Sequence, residues 1–285
     1  MNGQLFILDF FTNLHVGGLG DNLSVVDKQV QRDPITGYPY IQTSGLKGAI
    51  RAYAEAGRMK NENVHTIFGK DGESGKTNAS SQQGHVSFLP AHLLLLPLRA
   101  NRFAYLQATC PDILKQLKDS CGLIGQAESE LAKLCTSLLN LWEANQMEQK
   151  PQTGLLLGAA PANGVASLRV EGMRVVSVPQ DETQNLSLLV PGLDRLLLIS
   201  DADMKSVVGT LPILAHNKLE NGKSVTLWYE EVVPRKTVMY TVMLSNQQDL
   251  LDQLATVCGA ELQDPVQFGA NATLGYGLCT MHKML

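Results

Sequence analysis

The amino-acid sequence predicts an α+β fold of the ferredoxin-like (RRM-like) type. When the polar and helical insertions are set aside, the remaining segments follow the order strand, helix, strand, strand, helix, strand. This βαββαβ order is that of the split βαβ unit. A chain of 285 residues can bury one large core, and its last strand is expected to close the sheet that the first begins. We therefore expect one elaborated domain over residues 1–285.

The first strand and the first helix are predicted from hydrophobic periodicity. Residues 4–11, QLFILDFF, are rich in β-forming side chains and partly alternating, which indicates a strand. Residues 15–22 form a glycine-rich loop. In residues 46–56 apolar side chains recur at helical spacing, and Ser44 is expected to be the N-cap of that helix. Residues 57–84 are polar and glycine-rich, which predicts a long mobile insertion.

The middle of the chain alternates strands with a helical segment. Residues 85–89, HVSFL, and the apolar run that follows predict strands. Residues 113–145 predict a helix in two pieces, divided near Gly122. An insertion over about residues 100–165 is therefore expected, and strand and turn signals alternate in residues 166–178.

A protruding hairpin is predicted over about residues 205–235. Two β-like runs in residues 210–231 flank an Asn221-Gly222 pair, which is the strongest short hairpin signal. The last elements are a buried strand, an amphipathic helix and a final strand with a glycine loop, at residues 237–244, 249–258 and 266–281.

Composition excludes several classes of protein. The chain has 44% hydrophobic and 18% charged residues, which is typical of a globular domain and not of a disordered one. No apolar run reaches the roughly 18 residues of a membrane span. The start lacks the basic region of an export signal, so a cytoplasmic location and no membrane partner are expected. Five cysteines without CxxC spacing predict reduced thiols and no zinc site.

A nucleotide-hydrolase function is also excluded by spacing. Residues 69–77, GKDGESGKT, place five residues between Gly69 and Gly75. This is one residue more than the P-loop pattern allows, and no hydrophobic strand leads into it. A polar surface loop is therefore predicted here.

Charge is unevenly distributed along the chain. The net charge of −4 argues against an indiscriminate nucleic-acid binder. Residues 28–60 nevertheless carry six basic side chains against two acids, whereas residues 181–203 carry five acids against Arg195. This asymmetry fits a phosphate-facing side, and it equally fits solvated faces.

The start of the first helix, SGLKG at residues 44–48, is the most informative short motif. Helix starts gather backbone N–H donors and favour anions. The two glycines cost the helix about 1 kcal/mol each relative to alanine, so close approach of another backbone is a physical reason for them. Lys47 adds a point charge for phosphate, and Arg51 adds a fork one turn later. Helix–helix packing would also explain the glycines, but not the lysine.

A second flexible loop, Gly269–Gly277, leads into the last strand. In a ferredoxin-like unit it would lie beside the first helix start, and the two elements could cradle one phosphate chain. The histidines show no metal-ligand spacing. Among them only His15 is placed to reach a ligand, although a hydrogen-bonded loop histidine is the commoner arrangement.

Five segments in order connect these motifs to a known family. They are LHVGGLG, VVDKQVQRDPITGYPYIQTSGLKGAIR, IFG, HVSFLPAHLLLLPLR with ATCP, and the terminal LGYGL. Together they resemble the RAMP superfamily of CRISPR-associated proteins, from about residue 14 to the C-terminus. Within it, the chain is most similar to the repeated backbone subunit of the type III-B (Cmr) effector complex. The resemblance implies a palm and thumb, and a subunit that polymerises along a CRISPR RNA (crRNA) and holds it for pairing with single-stranded target RNA. The implied partners are further copies of itself and other Cmr-complex subunits.

The resemblance implies a guide-binding surface and a thumb. Contacts to phosphate and 2′-OH suit a protein that accepts any guide sequence, because base pairing does the reading. The hairpin would be the thumb that displaces a base pair, with Leu219, Trp228 and Tyr229 as its wedge or as its own packing. The residues implied for guide binding are Gly17, Gly18, Ser44, Gly45, Lys47, Gly48, Arg51, Asn271, Thr273, Gly275, Tyr276 and Gly277.

The resemblance also implies an endoribonuclease site at Asp27. In the family the cut is metal-dependent, and the neighbouring 2′-OH attacks to leave a cyclic phosphate. Asp27 would hold Mg²⁺ or Mn²⁺ or act as a base, with His15, Glu230 and Glu231 as secondary candidates for positioning or proton transfer. Without the family, Asp27 is no more than a solvated loop acid. Two alternatives stay open: a non-catalytic crRNA-binding scaffold, and a metal-independent crRNA-processing nuclease with His15 as general base.

Overall fold

The computed structural model describes residues 1–18, 26–70, 81–162, 164–178, 185–259 and 264–285. Residues 71–77 of the GKDGESGKT stretch lie outside these ranges, and so do Asp181 and Glu182 of the acidic segment. The described helices are α1 Thr43–Glu55, α2 Asn61–Phe68, α3 Pro111–Leu123, α4 Glu130–Ala144, α5 Asp201–Val208 and α6 Gln248–Cys258. The described strands are β1 Asn2–Phe10, β2 Tyr40–Ile41, β3 Val86–Phe88, β4 Ala91–Leu98, β5 Leu106–Thr109, β6 Thr153–Gly158, β7 Arg169–Val170, β8 Met173–Ser177, β9 Arg195–Leu198, β10 Ile213–Glu220, β11 Lys223–Glu231, β12 Val238–Ser245, β13 Val266–Gln267 and β14 Leu278–Lys283.

A mixed sheet of 12 described strands organises the molecule, in the order β13-β14-β1-β12-β4-β5-β9-β6-β8-β7, with β2 on β4 and β3 on β12. Its central strands β14, β1, β12 and β4 are antiparallel neighbours. The pairs β5–β9 and β6–β8 are parallel. The chain is therefore an α+β structure with one large mixed sheet, in which the last long strand lies beside the first.

Helices cover both faces of the sheet, as neighbouring residues of β1 show. Gln4 donates a hydrogen bond to Asp252 of α6 at 2.8 Å, whereas a Cβ on Gly3 would meet Ile124, next to the end of α3. Adjacent residues of a strand point to opposite faces, so α6 and α3 lie on opposite sides. Met243 pairs with Gln4, so its side chain faces the α6 side of the sheet. Phe88 pairs with Met243 and stacks on Phe68 of α2, with ring centres 5.3 Å apart, so α2 lies on the α6 side as well.

Three predictions about local structure were wrong or incomplete. Ser44 is not the N-cap of α1: Gln42 holds that position without a side-chain cap, and Ser44 is the second helical residue. The predicted loop at residues 57–84 contains α2, whose buried side chains pack against the core. The segment at about residues 100–165 contributes the strands β5 and β6 as well as α3 and α4.

The hairpin prediction is confirmed. β10 and β11 pair as a separate two-stranded sheet whose side chains are mostly exposed. Asn221 and Gly222 have φ values of 51° and 76°, as a two-residue hairpin turn with two left-handed positions requires. The pairing register shifts between Lys218 and Leu219, which marks a β-bulge.

The five cysteines are buried as free thiols. Burial raises the pKa of Cys110 to about 12, which opposes formation of the reactive thiolate. None of the described helices has the length and the apolar composition that a membrane span requires.

Candidate functional site

The carboxylate of Asp27 lies exposed at the base of the hairpin. Its Oδ2 accepts a 2.8 Å hydrogen bond from the backbone N–H of Tyr229. The backbone of Lys28 donates to Tyr229 O at 3.2 Å, and Glu231 N donates to Lys28 O at 2.8 Å. The segment that carries Asp27 is thus hydrogen-bonded alongside the end of β11, so the carboxylate is held in place while its other side faces solvent.

Glu230 lies beside this segment as a buried centre of contacts. Only 1% of its surface is exposed. Its Oε1 accepts a hydrogen bond from Asn271 Nδ2 at 2.7 Å and lies 3.3 Å from His15 Nε2, and its Oε2 lies 3.1 Å from His216 Nε2. Its backbone bridges to Lys28. The Glu230 carboxylate therefore connects the loop after β1, the hairpin and the loop before β14, and the Glu230 backbone joins them to the Asp27 segment.

His15 and Glu231 are engaged by the protein itself. His15 is 3% exposed, and its Nδ1 lies 2.8 Å from the carbonyl oxygen of Glu231. Since a carbonyl only accepts, Nδ1 carries the proton of this bond. The carboxylate of Glu231 accepts from Val30 N at 3.0 Å and pairs with Arg32 at 2.5 Å. The structure brings the four predicted catalytic residues together, but among them only Asp27 is exposed.

The Gly269–Gly277 loop lies against the same cluster. Ala270 N donates to His15 O at 2.8 Å, and Gly277 N donates to Asn13 O at 2.7 Å. The pKa of Tyr276 is raised by burial and then by the negative charge of Glu230. Asn271 adopts a left-handed φ of 61°, which an asparagine tolerates, while Thr273 is exposed.

Several loop glycines serve the protein's own backbone packing. A Cβ on Gly277 (φ 71°) would lie 1.7 Å from Phe268 O, and one on Gly269 (φ 75°) would lie 2.4 Å from His15 O. A Cβ on Gly18 would lie 3.0 Å from Val30 O, and Gly17 bridges to Val30. The absence of side chains at Gly18, Gly269 and Gly277 is thus explained without RNA, whereas a Cβ on Gly17 would only touch His15 Nε2 at 3.6 Å.

Replacing Gly277 by alanine should destabilise the fold far more than the same change at Gly275. Both residues have left-handed φ values, but a Cβ at Gly275 meets no atom within 4 Å. Gly275→Ala should therefore cost about 1–2 kcal/mol of backbone strain. Gly277→Ala adds the clash with Phe268 O and should cost clearly more. Urea unfolding of the two variants measures the difference, and equal midpoints would contradict this account.

The glycines at the start of α1, unlike several of those in the loops, are not required by packing among the described residues. Gly45 and Gly48 are exposed; a Cβ on Gly48 would meet no atom within 4 Å, and one on Gly45 would only touch Ile41 at 4.0 Å. In the described part of the chain, helix–helix packing therefore does not account for these glycines. Lys47 Nζ lies 5.9 Å from the centre of the Phe88 ring, and Arg51 pairs with Glu55 at 2.8 Å. The exposed face of α1 is left open, with cationic side chains beside it.

Hydrogen bonds connect this helix start to the rest of the site. The backbone N–H of Gln42 donates to Gln31 Oε1 at 3.1 Å, and Gln31 N donates to Val16 O at 2.7 Å. Val16 follows His15, which contacts the loop before β14. The helix start and that loop are thus joined through the segments around residues 15 and 31.

The three predicted wedge residues divide between the two faces of the hairpin. Trp228 is half-buried: it stacks on His216 with ring centres 5.4 Å apart, and Lys28 Nζ lies 5.6 Å from its ring. Leu219 (61% exposed) and Tyr229 (38% exposed) lie on the other face, with Leu227. Trp228 therefore belongs to the packing of the hairpin, whereas the other face presents apolar side chains to solvent.

Sequence reasoning missed His216, Lys28 and Arg32. Among the described residues, no group of three or more His, Cys, Asp or Glu side chains could hold a metal ion. Any metal at this site therefore needs ligands beyond the described protein residues, and Asp27 is the carboxylate with free coordination capacity.

Comparison with known proteins identifies the family of the chain. The family model described as RAMP superfamily matches residues 7–280. The chain belongs to the RAMP superfamily. The family that the sequence motifs resemble is thereby confirmed.

Several proteins that are similar to the chain carry CRISPR names. The chain is 27% identical over 300 residues to the CRISPR system Cmr endoribonuclease Cmr4 of Pyrococcus furiosus, covering 97% of this chain and 94% of the relative. The fold is similar to a chain in the cryo-EM structure of the type III-B Cmr-beta complex bound to cognate target RNA, with a TM-score of 0.76, 21% identity, and coverage of 100% and 98%. It is also similar to oligomeric Cmr4 from Pyrococcus furiosus, with a TM-score of 0.65, 18% identity, and coverage of 99% and 98%.

Proposed function

We propose that this RAMP protein is the repeated backbone subunit of a type III-B CRISPR ribonucleoprotein. It binds crRNA along the phosphate backbone and cuts the bound target RNA at regular intervals. Support comes from the 27% identical relative, which is named a Cmr endoribonuclease, and from similar folds described as bound to target RNA and as oligomeric. Further copies of the chain and other Cmr subunits are its proposed partners.

One observation carries the catalytic part of the proposal. Among the four candidate groups, Asp27 alone presents its carboxylate to solvent, at the junction of the hairpin and the sheet. The hydrogen bond that this carboxylate accepts from the backbone N–H of Tyr229 fixes its direction. A target strand that follows the hairpin would therefore pass this carboxylate.

In this proposal, the four central antiparallel strands with α1 and α6 form the ferredoxin-like palm, and the hairpin is the thumb. The exposed apolar side chains of Leu219, Leu227 and Tyr229 are suited to displacing a base pair. Trp228, held by His216 and Lys28, would stiffen the hairpin from behind.

The guide strand is proposed to lie on the open start of α1. The exposed glycines allow its backbone to come close, the first-turn N–H groups can donate to phosphate, and Lys47 and Arg51 supply charge. None of these contacts distinguishes one base from another, so any guide sequence is accepted.

In the proposed cut, the 2′-oxygen of one nucleotide attacks the adjacent phosphorus. The P–O2′ bond forms as the P–O5′ bond breaks, the 2′-OH loses its proton and the 5′-oxygen gains one. The products are a cyclic phosphate and a 5′-hydroxyl end. A lone exposed carboxylate fits Mg²⁺ or Mn²⁺ held jointly with RNA oxygens, because Mg²⁺ usually takes one or two carboxylates plus substrate phosphates. Such an ion would stabilise charge on the transferring phosphoryl group.

Chelation tests the metal dependence. The assembled complex should cut target RNA at regular spacing in Mg²⁺, lose cutting in EDTA, and recover it when Mg²⁺ or Mn²⁺ is added back. Cutting of precursor crRNA by the isolated chain in EDTA would instead indicate metal-independent processing with His15 as base. The burial of His15 and the contacts of both its ring nitrogens do not favour that alternative.

A further inference from the structure

An arginine-rich surface lies at the far edge of the sheet from the candidate site. β7 ends the sheet at the edge opposite β13, and it pairs with β8 in a tight hairpin. Arg169 of β7, Arg174 of β8 and Arg102 of the segment after β4 are all exposed. We refer to Arg102, Arg169 and Arg174 as the arginine face.

The arginine face carries charge that the protein does not neutralise. Arg169 and Arg174 are direct cross-strand partners, and like charges placed opposite each other are destabilising. Arg169 Nη1 donates only to the carbonyls of Ala166 at 3.0 Å and Leu168 at 2.7 Å. Arg102 donates to Ser167 Oγ at 3.3 Å. Within the described ranges, no carboxylate pairs with the arginine face.

Its neighbour Arg99 shows the difference. Arg99 forms a two-pronged pair with Glu171, with Nε–Oε1 and Nη2–Oε2 distances of 3.0 Å each. The charge of Arg99 is therefore neutralised by a carboxylate of the chain, unlike the charges of the arginine face.

The arginine face is also held rigidly. Asn101 donates from Nδ2 to Ser167 O at 2.9 Å and accepts from Arg169 N through Oδ1 at 2.9 Å. Ala100 bridges to Val170, and Glu171 N donates to Arg99 O at 3.0 Å. The segment carrying Arg102 is thus fixed against β7, which lowers the entropy cost of binding a ligand.

We propose that the arginine face is a second RNA-binding surface, which holds the phosphodiester backbone of single-stranded RNA outside the guide cradle. Guanidinium forks match phosphate oxygens in two-pronged geometry. The choice of RNA as the polyanion rests on the proposed function.

The surroundings favour a nucleic-acid backbone over a folded acidic protein. Protein interfaces need buried aromatic or aliphatic anchors at their centre. The exposed residues beside Arg169 and Arg174 are small, namely Ala166, Ser167 and Gly172. The exposed aromatic residue that is near in sequence is Tyr105, three residues after Arg102, and a single exposed ring is also suited to stacking on an RNA base. Sequence-independent binding through phosphate is the expected mode.

A salt titration of the full-length chain tests the proposal. The triple variant Arg102→Gln/Arg169→Gln/Arg174→Gln is compared with Lys115→Gln/Lys118→Gln/Lys133→Gln, which removes the same charge from exposed positions on α3 and α4. Fluorescence anisotropy with a labelled oligouridylate is the readout. The arginine variant should bind at least about 10-fold more weakly than the lysine variant, and the slope of log K against log salt should fall by up to about 2, because each single-strand phosphate contact contributes roughly 0.7.

The two triple variants are also compared in a Lys47→Gln/Arg51→Gln background, so that RNA binding at α1 does not mask the effect of the arginine face. Equal affinities and slopes for the two triple variants would overturn the proposal. So would a triple arginine variant that keeps RNA affinity but loses binding to polyglutamate, since that result would identify an acidic protein as the ligand. Thermal midpoints check folding.

The result of the binding test on the arginine face can be distinguished from a failure of the proposed RNA cutting. Cutting of a short target by the assembled complex should keep its positions in the triple arginine variant. Failure of the chain to cut RNA at all would refute the proposed function while leaving the oligouridylate comparison interpretable.

Discussion

Asp27→Asn should lower the rate of target cutting by the assembled complex by about 10²–10³-fold, the usual effect of removing one group that stabilises charge in the transition state. Asparagine has nearly the same size, and its Oδ1 can still accept the Tyr229 N–H. The variant therefore removes the charge and leaves the hydrogen bond. Assembly, crRNA content and target affinity should remain those of the wild type.

The measurement is single-turnover cutting of a labelled target in Mg²⁺, with native electrophoresis as the assembly check. Asp119→Asn is a matched control, because Asp119 is an exposed acid on α3. It should cut at the wild-type rate. Undiminished cutting by Asp27→Asn in an intact complex would remove Asp27 from the chemistry. Absence of cutting in the wild type would favour the scaffold alternative.

Gly48→Ala should stabilise the isolated chain and weaken guide binding at the same time. A Cβ there meets no atom within 4 Å, so the helix should gain about 1 kcal/mol in free energy of unfolding. If a guide backbone lies on this surface, the added methyl group occupies the space that it needs. In the proposed filament, several copies would hold one guide together, so a small loss per copy should compound in the assembled particle.

Gly122→Ala provides the matched control. Gly122 is also an exposed helical glycine whose Cβ would meet no atom within 4 Å, but it lies on α3. This variant should be stabilised without a change in crRNA affinity. Urea unfolding and filter binding of crRNA to the assembled complex measure the two effects. An unchanged crRNA affinity in Gly48→Ala would mean that the open face of α1 does not carry the guide.

Local patterns predicted much of the fold, since they depend on residues close in sequence. The amphipathic spacing of Leu46, Ile50 and Tyr53 predicts α1, and these side chains are buried in the structure. The Asn221-Gly222 pair predicts the hairpin because both positions need a left-handed backbone. The N-cap of α1 was predicted two residues too late, at Ser44, because Gln42 holds that position without a side-chain cap that the sequence could signal.

The candidate site could be predicted only in part. Motif resemblance indicates Asp27, His15 and Glu230, but their burial differs and no periodicity shows it. The hairpin register is one example. The two-residue turn alone would pair His216 with Leu227, and the bulge after Lys218 moves His216 opposite Trp228. A bulge of this kind depends on the surrounding structure, so the stacked pair and its contact with Glu230 could not be foreseen.

The sequence by itself determined the α+β class, the hairpin and the cationic side chains of α1, because each follows from short-range pattern or composition, and it indicated the superfamily through motifs that occur in order along the chain. Only the tertiary structure decided which glycines are required by backbone packing, which acid stays exposed, and which arginines lack a carboxylate. These properties depend mostly on atoms from segments distant in the chain, such as His15 against Gly269 and Tyr229 against Asp27, and such contacts exist only after folding.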